Sequence, residues 1–371
     1  MKTLVVRVLL ALAIIGSAVP GTPLVASARQ GKAADASMIE ARTRFFGPGN
    51  VDPITGEVRA DRLIMSWFSV ANYAVAIRGH IVLFDAWIAR GSHSGYVPTS
   101  PEELIALQPE YIFAGHGDFD HLADAAEIAA ATGATLVGSP EHCDSVRGQA
   151  GADASISCVE AIPRGAPPGV VNELKLLPGV GITAISHVHS SVEQPEQADG
   201  GRLPCIPLWN AVDTAENPPT PEDMEHLLRH LPDARGGNIL YQFRVGPLAI
   251  TWHDTTGKLA EDAPQVIDAL KALPPTDIHF GAILAFGQVT NCFRSLAMYI
   301  EALSPKVFAS SHNDNFTWFI GANARDLEPL VVEELERIPE SERPALLYAY
   351  DPEDYIDPSL YTFDPSARKW R

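Results

Sequence analysis

One short string constrains this chain more than any other: residues 116–121 read His-Gly-Asp-Phe-Asp-His. It follows an apolar run, residues 111–114, that predicts a buried strand, and it precedes a helix predicted over about residues 122–132. Four potential ligands in one strand-to-helix loop can face a single point, and imidazoles with carboxylates at this spacing suit Zn, Mn or Fe. The alternative is a polar loop in which an aspartate caps the helix.

Three further apolar runs also end in residues that can bind metal. The carboxyl ends of strands form the ligand-binding edge of an α/β sheet. A lone histidine at a strand end is usually a packing or surface residue, but four such ends in one chain predict a shared metal site. The three additional ends are His187-Val-His189, His253-Asp254 and His312-Asn-Asp314.

The remaining pattern favours an α/β fold built in layers, because strands and helices alternate. Residues 29–60 are polar with several glycines and prolines, and we expect them to be loosely structured. Ser100 is the predicted N-cap of one helix and Gly133 the predicted end of another. Strands are predicted at 63–70, 73–77, 80–85, 134–138, 181–186, 248–252 and 306–310, and further helices at 101–107, 221–230, 264–273 and 291–303.

With these motifs, the sequence resembles the metallo-β-lactamase superfamily of metal-dependent hydrolases over about residues 60–320. The family pattern is His-x-His-x-Asp-His, then a His, an Asp and a final His, at strand ends of an αββα sandwich. An aspartate at the end of an early strand is matched by Asp85. The step from Asp85 to His116 and the single inserted loop look most like the L-ascorbate-6-phosphate lactonase-like branch. The resemblance implies an αββα sandwich with two metal ions.

The resemblance also implies a ligand set. His187 is the alternative to His189, whose spacing after the preceding strand fits the family pattern better. Asp120 would in addition align the nucleophile and accept a proton, and His253 or His187 would act as an outer proton donor or hydrogen-bond partner. The implied ligands are His116, Asp118 and His189 for one ion, Asp120, His121 and His312 for the other, and Asp254 as the bridge.

Asp118 departs from the family pattern, which has a histidine there. A carboxylate adds negative charge and an oxygen donor, which shifts preference toward harder ions such as Mn or Fe(II). We expect two divalent ions, zinc first, with manganese or iron as alternatives. If Asp118 points away, only one ion binds firmly.

Charge and the N-terminus bear on partners and location. The chain has 27 Lys plus Arg against 46 Asp plus Glu, a net charge of −19, with no basic run, so a nucleic-acid partner is not expected. Residues 1–28 combine two basic residues, a short apolar run and the small-residue site Ala26-Ser27-Ala28, typical of a cleavable secretory signal. The alternative is an uncleaved anchor. We predict an exported protein, periplasmic or extracellular, whose mature form has no membrane segment.

The domain prediction is one hydrolase domain over residues 29–371, with a lid-like insertion at about 190–237. Four cysteines are too few for a disulfide scaffold. In an oxidising compartment Cys143 and Cys158 either close one loop or stay free, and we expect Cys205 and Cys292 to be buried free thiols.

The functional prediction is an exported metal-dependent hydrolase that cleaves an ester, lactone or related acyl bond of a small molecule. A phosphodiesterase or phosphotriesterase is the nearest rival function, since paired metals serve both reactions. A β-lactamase, or a non-catalytic binding protein on the same fold, is also compatible with these residues. The composition predicts no oligomeric state.

Overall fold

The computed structural model describes residues 35–89, 96–151, 154–191, 220–231, 236–283, 292–314 and 324–366. The predicted signal at residues 1–28 and most of the predicted 190–237 insertion lie outside them. In the part of the chain that is described, no helix is both long and apolar enough to cross a membrane.

Among the described residues, the first sheet has seven strands in the order β14-β1-β2-β3-β4-β5-β6. Strands β1 to β3 pair antiparallel, and β3 to β6 pair parallel. Residues Arg78 and Gly79, both at positive φ, form the predicted turn between β2 and β3. The strands are β1 (Leu63–Ser69), β2 (Asn72–Ile77), β3 (His80–Phe84), β4 (Tyr111–Phe113), β5 (Thr135–Gly138), β6 (Cys158–Glu160) and β14 (Thr362–Phe363).

In the described part of the chain the second sheet also has seven strands, in the order β13-β12-β11-β10-β9-β8-β7. Strands β7 to β10 pair antiparallel, and β10 to β13 pair parallel. The strands are β7 (Val171–Leu174), β8 (Val180–His187), β9 (Asn238–Val245), β10 (Leu248–His253), β11 (Ile278–Ala282), β12 (Val307–Ser311) and β13 (Ala345–Leu347).

Three apolar layers hold the sheets and helices together. The largest lies between the sheets, where Phe84 stacks on Phe243 and Trp252. The second packs α1, α2, α4 and α5 on the outer face of the first sheet, and the third packs α8 and α9 on that of the second. The predicted αββα sandwich is therefore confirmed. The helices are α1 (Ala36–Phe46), α2 (Pro101–Ala106), α3 (Phe119–Leu122), α4 (Ala125–Thr132), α5 (Pro140–Ala150), α6 (Pro221–His230), α7 (Leu259–Asp262), α8 (Pro264–Lys271), α9 (Arg294–Leu303) and α10 (Ala324–Glu336).

Local signals set several helix ends as predicted. The Ser100 hydroxyl accepts a hydrogen bond from the Glu103 amide and caps α2. Helix α4 ends at Gly133, which adopts the left-handed conformation.

Two helix predictions were wrong. Residues 29–60 were expected to be loosely structured, yet α1 occupies 36–46, capped by Asp35 and burying Phe45 and Phe46. The single helix predicted over 122–132 is interrupted, because the Asp124 amide donates to the carbonyl of Ala86 rather than continuing α3.

The cysteines correct a further prediction. Cys143 and Cys158 form a disulfide, with their Cα atoms 6.0 Å apart. Cys292 is also disulfide-bonded, so the predicted free thiol at this position is wrong. The prediction for Cys205 falls outside the described residues. Distance along the sequence was a poor guide here, because folding can bring remote cysteines within bonding distance.

Candidate metal centre

The predicted ligands meet at one edge of the sandwich, where β4, β8, β10 and β12 end. Of the residues that the structure describes, three groups of side chains there could hold a cation, and within each group one ligand atom per residue lies within 4.8 Å of the others. The groups are His116, Asp118 and His189; Asp120, His121 and His312; and His116, His121 and Asp254. All seven sequence-predicted ligands are therefore brought together.

The first group converges on the Nε2 atom of His116. This atom lies 3.2 Å from Nε2 of His189 and 3.7 Å from Oδ2 of Asp118. Nε2 of His189 is 3.5 Å from the same Asp118 oxygen. Asp118 makes no side-chain capping bond to α3, so its carboxylate serves the cluster rather than the helix end. The structure places His189, and not His187, in this group.

The second group converges on Oδ2 of Asp120. That oxygen lies 3.4 Å from Nε2 of His121 and 3.5 Å from Nε2 of His312. No hydrogen-bond partner satisfies the buried Nε2 of His121 among the described residues. A buried polar atom without a partner is costly, and a cation would satisfy it.

Asp254 lies between the two groups and is fully buried. Its Oδ2 is 2.7 Å from Nδ1 of His116 and 3.4 Å from Nδ1 of His121, whereas its Oδ1 has no hydrogen-bond partner in the described structure. The carboxylate thus contacts one histidine of each group and leaves one oxygen for a cation. A Cβ at Gly115 would overlap this carboxylate, so only glycine leaves room for it. The bridging role of Asp254 stays a prediction.

Asp85 orients the second histidine of the string. One of its oxygens accepts from Nδ1 of His121 at 2.7 Å, and the other accepts from the Gly115 amide at 2.9 Å. A carboxylate that accepts the Nδ1 proton of a histidine fixes the ring and leaves Nε2 as the ligand atom. Asp254 does the same for His116.

The electrostatics favour a cation. Burial alone would lower the pKa of His116, but the surrounding carboxylates, that of Asp254 foremost, outweigh it and raise the pKa to about 9. The same balance raises the pKa of His121 well above its usual range, with Asp120 as the strongest partner. Burial would raise the pKa of Asp120, yet the charges of His121 and His312 hold it well below. The pKa values of Asp118, Asp120 and Asp254 are all held below their usual range by the neighbouring histidines, so these three carboxylates stay ionised, whereas burial and the charge of Asp254 raise the pKa of Asp85 to about 8.

The donor set fits divalent cations. Imidazole nitrogens and carboxylate oxygens are ligands of Zn, Mn and Fe, and the orienting carboxylates behind His116 and His121 are typical of such centres.

His253 does not reach this cluster, contrary to the predicted catalytic role. Its side chain is fully buried beneath α9, on the outer face of the second sheet. Nδ1 lies 2.8 Å from the Thr255 carbonyl and Nε2 lies 2.8 Å from Nε2 of His279. With both nitrogens occupied, His253 cannot give a proton to a substrate. His187, the alternative proton donor, is buried on the same face with Nδ1 at 2.9 Å from the Tyr299 hydroxyl.

The sequence analysis missed one residue that contacts the centre and one that contacts His253. Asn72 hydrogen-bonds the Asp120 carbonyl, and His279 holds His253. His279 lies inside the apolar strand β11. Because successive side chains in a strand point to opposite faces of the sheet, the pattern could have placed His279 on the face opposite to that of Phe280. Asn72 has no such local signal.

Comparisons with known proteins yield partial matches. No family model matches the chain. A UPF0173 metal-dependent hydrolase of Pyrobaculum neutrophilum is 37% identical over 75 residues, which are 20% of this chain and 32% of that protein. Another, from Methanopyrus kandleri, is 33% identical over 139 residues, 37% of this chain and 53% of that protein. The chain thus spans about a third to a half of the length of these relatives.

One solved structure shares the fold across most of the chain. Igni18, described as a novel metallo hydrolase from Ignicoccus hospitalis, superposes with a TM-score of 0.51 over 81% of this chain and 98% of its own, at 17% identity. At this identity the likeness shows the fold alone.

Proposed function

We propose that this chain is a metal-dependent hydrolase of the metallo-β-lactamase superfamily that binds two divalent cations at the strand-end edge. The observation that carries the proposal is the pair of groups around Nε2 of His116 and Oδ2 of Asp120, joined by Asp254. The relatives named as metal-dependent hydrolases and the metallo hydrolase that shares the fold support it.

The side chains have separable tasks in the proposed reaction. Two bound cations supply a water nucleophile at neutral pH and polarise the bond to be cleaved. Asp254 and Asp85 hold the rings of His116 and His121 by accepting their Nδ1 protons. Asp120, which stays ionised, would accept a hydrogen bond from the attacking water, take its proton and pass that proton to the alcohol that leaves as the acyl bond breaks. His253 has no part in proton transfer.

We propose an ester, lactone or related acyl bond of a small molecule as the target. The described groups within the cluster are imidazoles and carboxylates, which do not mark a phosphate pocket. The almost buried cationic side chains of Lys258 and Arg294 are paired with the carboxylates of Asp262 and Glu261. Phosphodiester hydrolysis is the alternative to be tested beside hydrolysis of an acyl bond.

Asp118 bears on the choice of ion. In the first group, Asp118 provides a carboxylate where the family pattern has a third histidine. Manganese or iron therefore compete with zinc for the cation position of this group. We propose zinc as the main ion, and export through residues 1–28 as the route by which the chain reaches a periplasmic or extracellular site.

The test is metal content of the purified protein by elemental analysis, before and after chelation, with a panel of ester, lactone and phosphodiester substrates. We expect about two equivalents of metal and turnover of an acyl substrate that is lost on chelation and restored by the ion. One equivalent with activity would point to a mononuclear site. No metal after growth in supplemented medium, with no turnover on re-addition, would overturn the proposal.

A further inference from the structure

We propose that Asn72 is a positioning residue that holds the Asp120, His121 and His312 half of the metal centre, independently of the other half. The inference rests on the proposed function and extends it to a residue outside the ligand set. Asn72 begins β2 and is fully buried, and its side chain does not line the cluster.

The side-chain amide of Asn72 joins three chain segments. Its Nδ2 donates to the Asp120 carbonyl at 3.2 Å and to the Ser69 carbonyl at 3.1 Å. Its Oδ1 accepts from the Trp87 amide at 2.9 Å. Two donors and one acceptor on one short planar group are what asparagine provides, and an aspartate would lack both donors.

The same turn also holds the third ligand of this half. The turn between β1 and β2, residues 69–72, has Ser69 and Val70 at positive φ. The Val70 carbonyl accepts from the His312 amide at 2.8 Å. The turn is therefore hydrogen-bonded to the backbone of both Asp120 and His312, whose side chains lie 3.5 Å apart.

The loop after β3 completes the connection to His121. The Ala86 amide donates to the His121 carbonyl at 2.6 Å, and the Ala86 carbonyl accepts from the Asp124 amide at 3.0 Å. Asn72 fixes this loop through the neighbouring Trp87 amide. All three residues of the second group thus depend on segments that Asn72 joins.

His116 and His189 of the first group are held by other contacts, and Asp118 is the one ligand of that group in the α3 segment, where its carbonyl accepts from the His121 amide at 3.1 Å. The Gly115 carbonyl, just before His116, accepts from the Ile239 amide at 2.8 Å, and the amide of Ser190, next to His189, donates to the Thr255 hydroxyl at 3.2 Å. Loss of the Asn72 amide should therefore weaken one cation position and spare the other.

The test compares Asn72→Asp and Asn72→Ala with wild-type protein. Elemental analysis gives the metal content of each protein. The metal-free proteins are then titrated with Zn²⁺, with calorimetry as the readout, and with Co²⁺, with cobalt absorbance as the readout. Asn72→Asp keeps the volume and the acceptor and removes the donors. We expect one cation to bind as in the wild type and the other about 10- to 100-fold more weakly, the range seen when an outer partner of a metal ligand is lost.

Gln242→Ala is the matched control. Gln242 is also fully buried and donates to the Pro274 carbonyl and the Thr276 hydroxyl, away from the cluster. It should lower the urea midpoint without changing metal affinity. If Asn72→Ala fails to fold, Asn72→Asp carries the comparison.

The affected position is identified by combining variants. In a double variant, Asn72→Asp should add little to the loss of cation-binding free energy caused by Asp120→Asn. It should add its full effect to the loss caused by Asp118→Asn. Suppose that wild-type protein binds two cations and that the Asn72→Asp variant binds both with normal affinity or binds both equally more weakly. This result would overturn the positioning role of Asn72 and leave the proposed function standing. Wild-type protein that binds no cation would overturn the proposed function and this role together.

Discussion

The molecule has two sets of buried histidines, one at the strand-end edge of the sandwich and the other on the outer face of the second sheet, and the two sets differ in what surrounds them. His116 and His121 belong to the metal cluster and each has a carboxylate at Nδ1. His253 and His279, with His187 nearby, lie beneath α9 and contact one another, a backbone carbonyl and the hydroxyl of Tyr299.

The surroundings decide the charge of the same side chain. Carboxylates outweigh burial and raise the pKa of His116 to about 9. Burial dominates beneath α9, where it lowers the pKa of His253 to about 4 and that of His279 well below its usual range. Burial alone therefore makes a histidine a neutral packing residue, whereas burial with carboxylates makes it part of a site that attracts cations.

The largest effect is expected from removing the carboxylate that joins both halves of the metal cluster. Asp254→Asn keeps the shape but removes the charge that raises the pKa of His116. We expect metal affinity to fall by at least about 100-fold, more than for an outer partner. Competition against a chelator of known affinity measures it.

Asp277→Asn is the control, because Asp277 accepts from the Ala249 amide away from the cluster. Asp254→Asn with unchanged affinity would contradict the assignment of the cluster as a metal centre.

The second prediction concerns the neutral histidines beneath α9 and how the free energy of unfolding changes at acid pH. The folded pKa of His253 lies below its unfolded value of about 6.5, so the unfolded state binds more protons between pH 6.5 and 4. The contribution of neutral His253 to stability is thus complete above pH 6.5 and is lost as pH falls toward 4. It amounts to at most about 3 kcal/mol.

Urea unfolding of chelator-treated protein at a series of pH values measures this contribution. His253→Gln should give a shallower loss of unfolding free energy over that window than the wild type. An equal slope in both proteins would mean that His253 is not the neutral buried group described above.

The smallest effect is expected from Tyr299→Phe, which removes the hydroxyl facing Nδ1 of His187. The loss of one buried hydrogen bond should cost about 1 kcal/mol of unfolding free energy. Metal affinity should stay within about twofold of the wild type, because the contact lies beneath α9. Urea midpoints and chelator competition on the same samples report both values, and a large drop in affinity would show that the two histidine sets are coupled.

Several features of the fold were readable from local pattern. Ser100 and Gly133 act through their own neighbours, so helix ends there were predicted correctly. The string at 116–121 follows a buried strand as expected, and its side chains face the other strand ends. Helix α1 was missed because composition over 29–60 was weighed above the capping Asp35 and the apolar residues that follow it.

The direction of His253 was missed for a different reason. Alternation along β10 places Trp252 between the sheets and His253 on the opposite face. Adjacency to Asp254 suggested a shared site, but neighbours in a strand point to opposite sides of the sheet.

The sequence by itself determined the layered α/β class and the seven ligand-type residues, because both depend on residue type and short-range periodicity, whereas the αββα order of the layers was implied by the family resemblance. Only the tertiary structure decided that Asp85 and Asp254 each hold a histidine ring and that Asn72 ties the β1–β2 turn to Asp120. These contacts join residues 36 to 138 positions apart. They follow from the packing of two sheets, which no local pattern encodes.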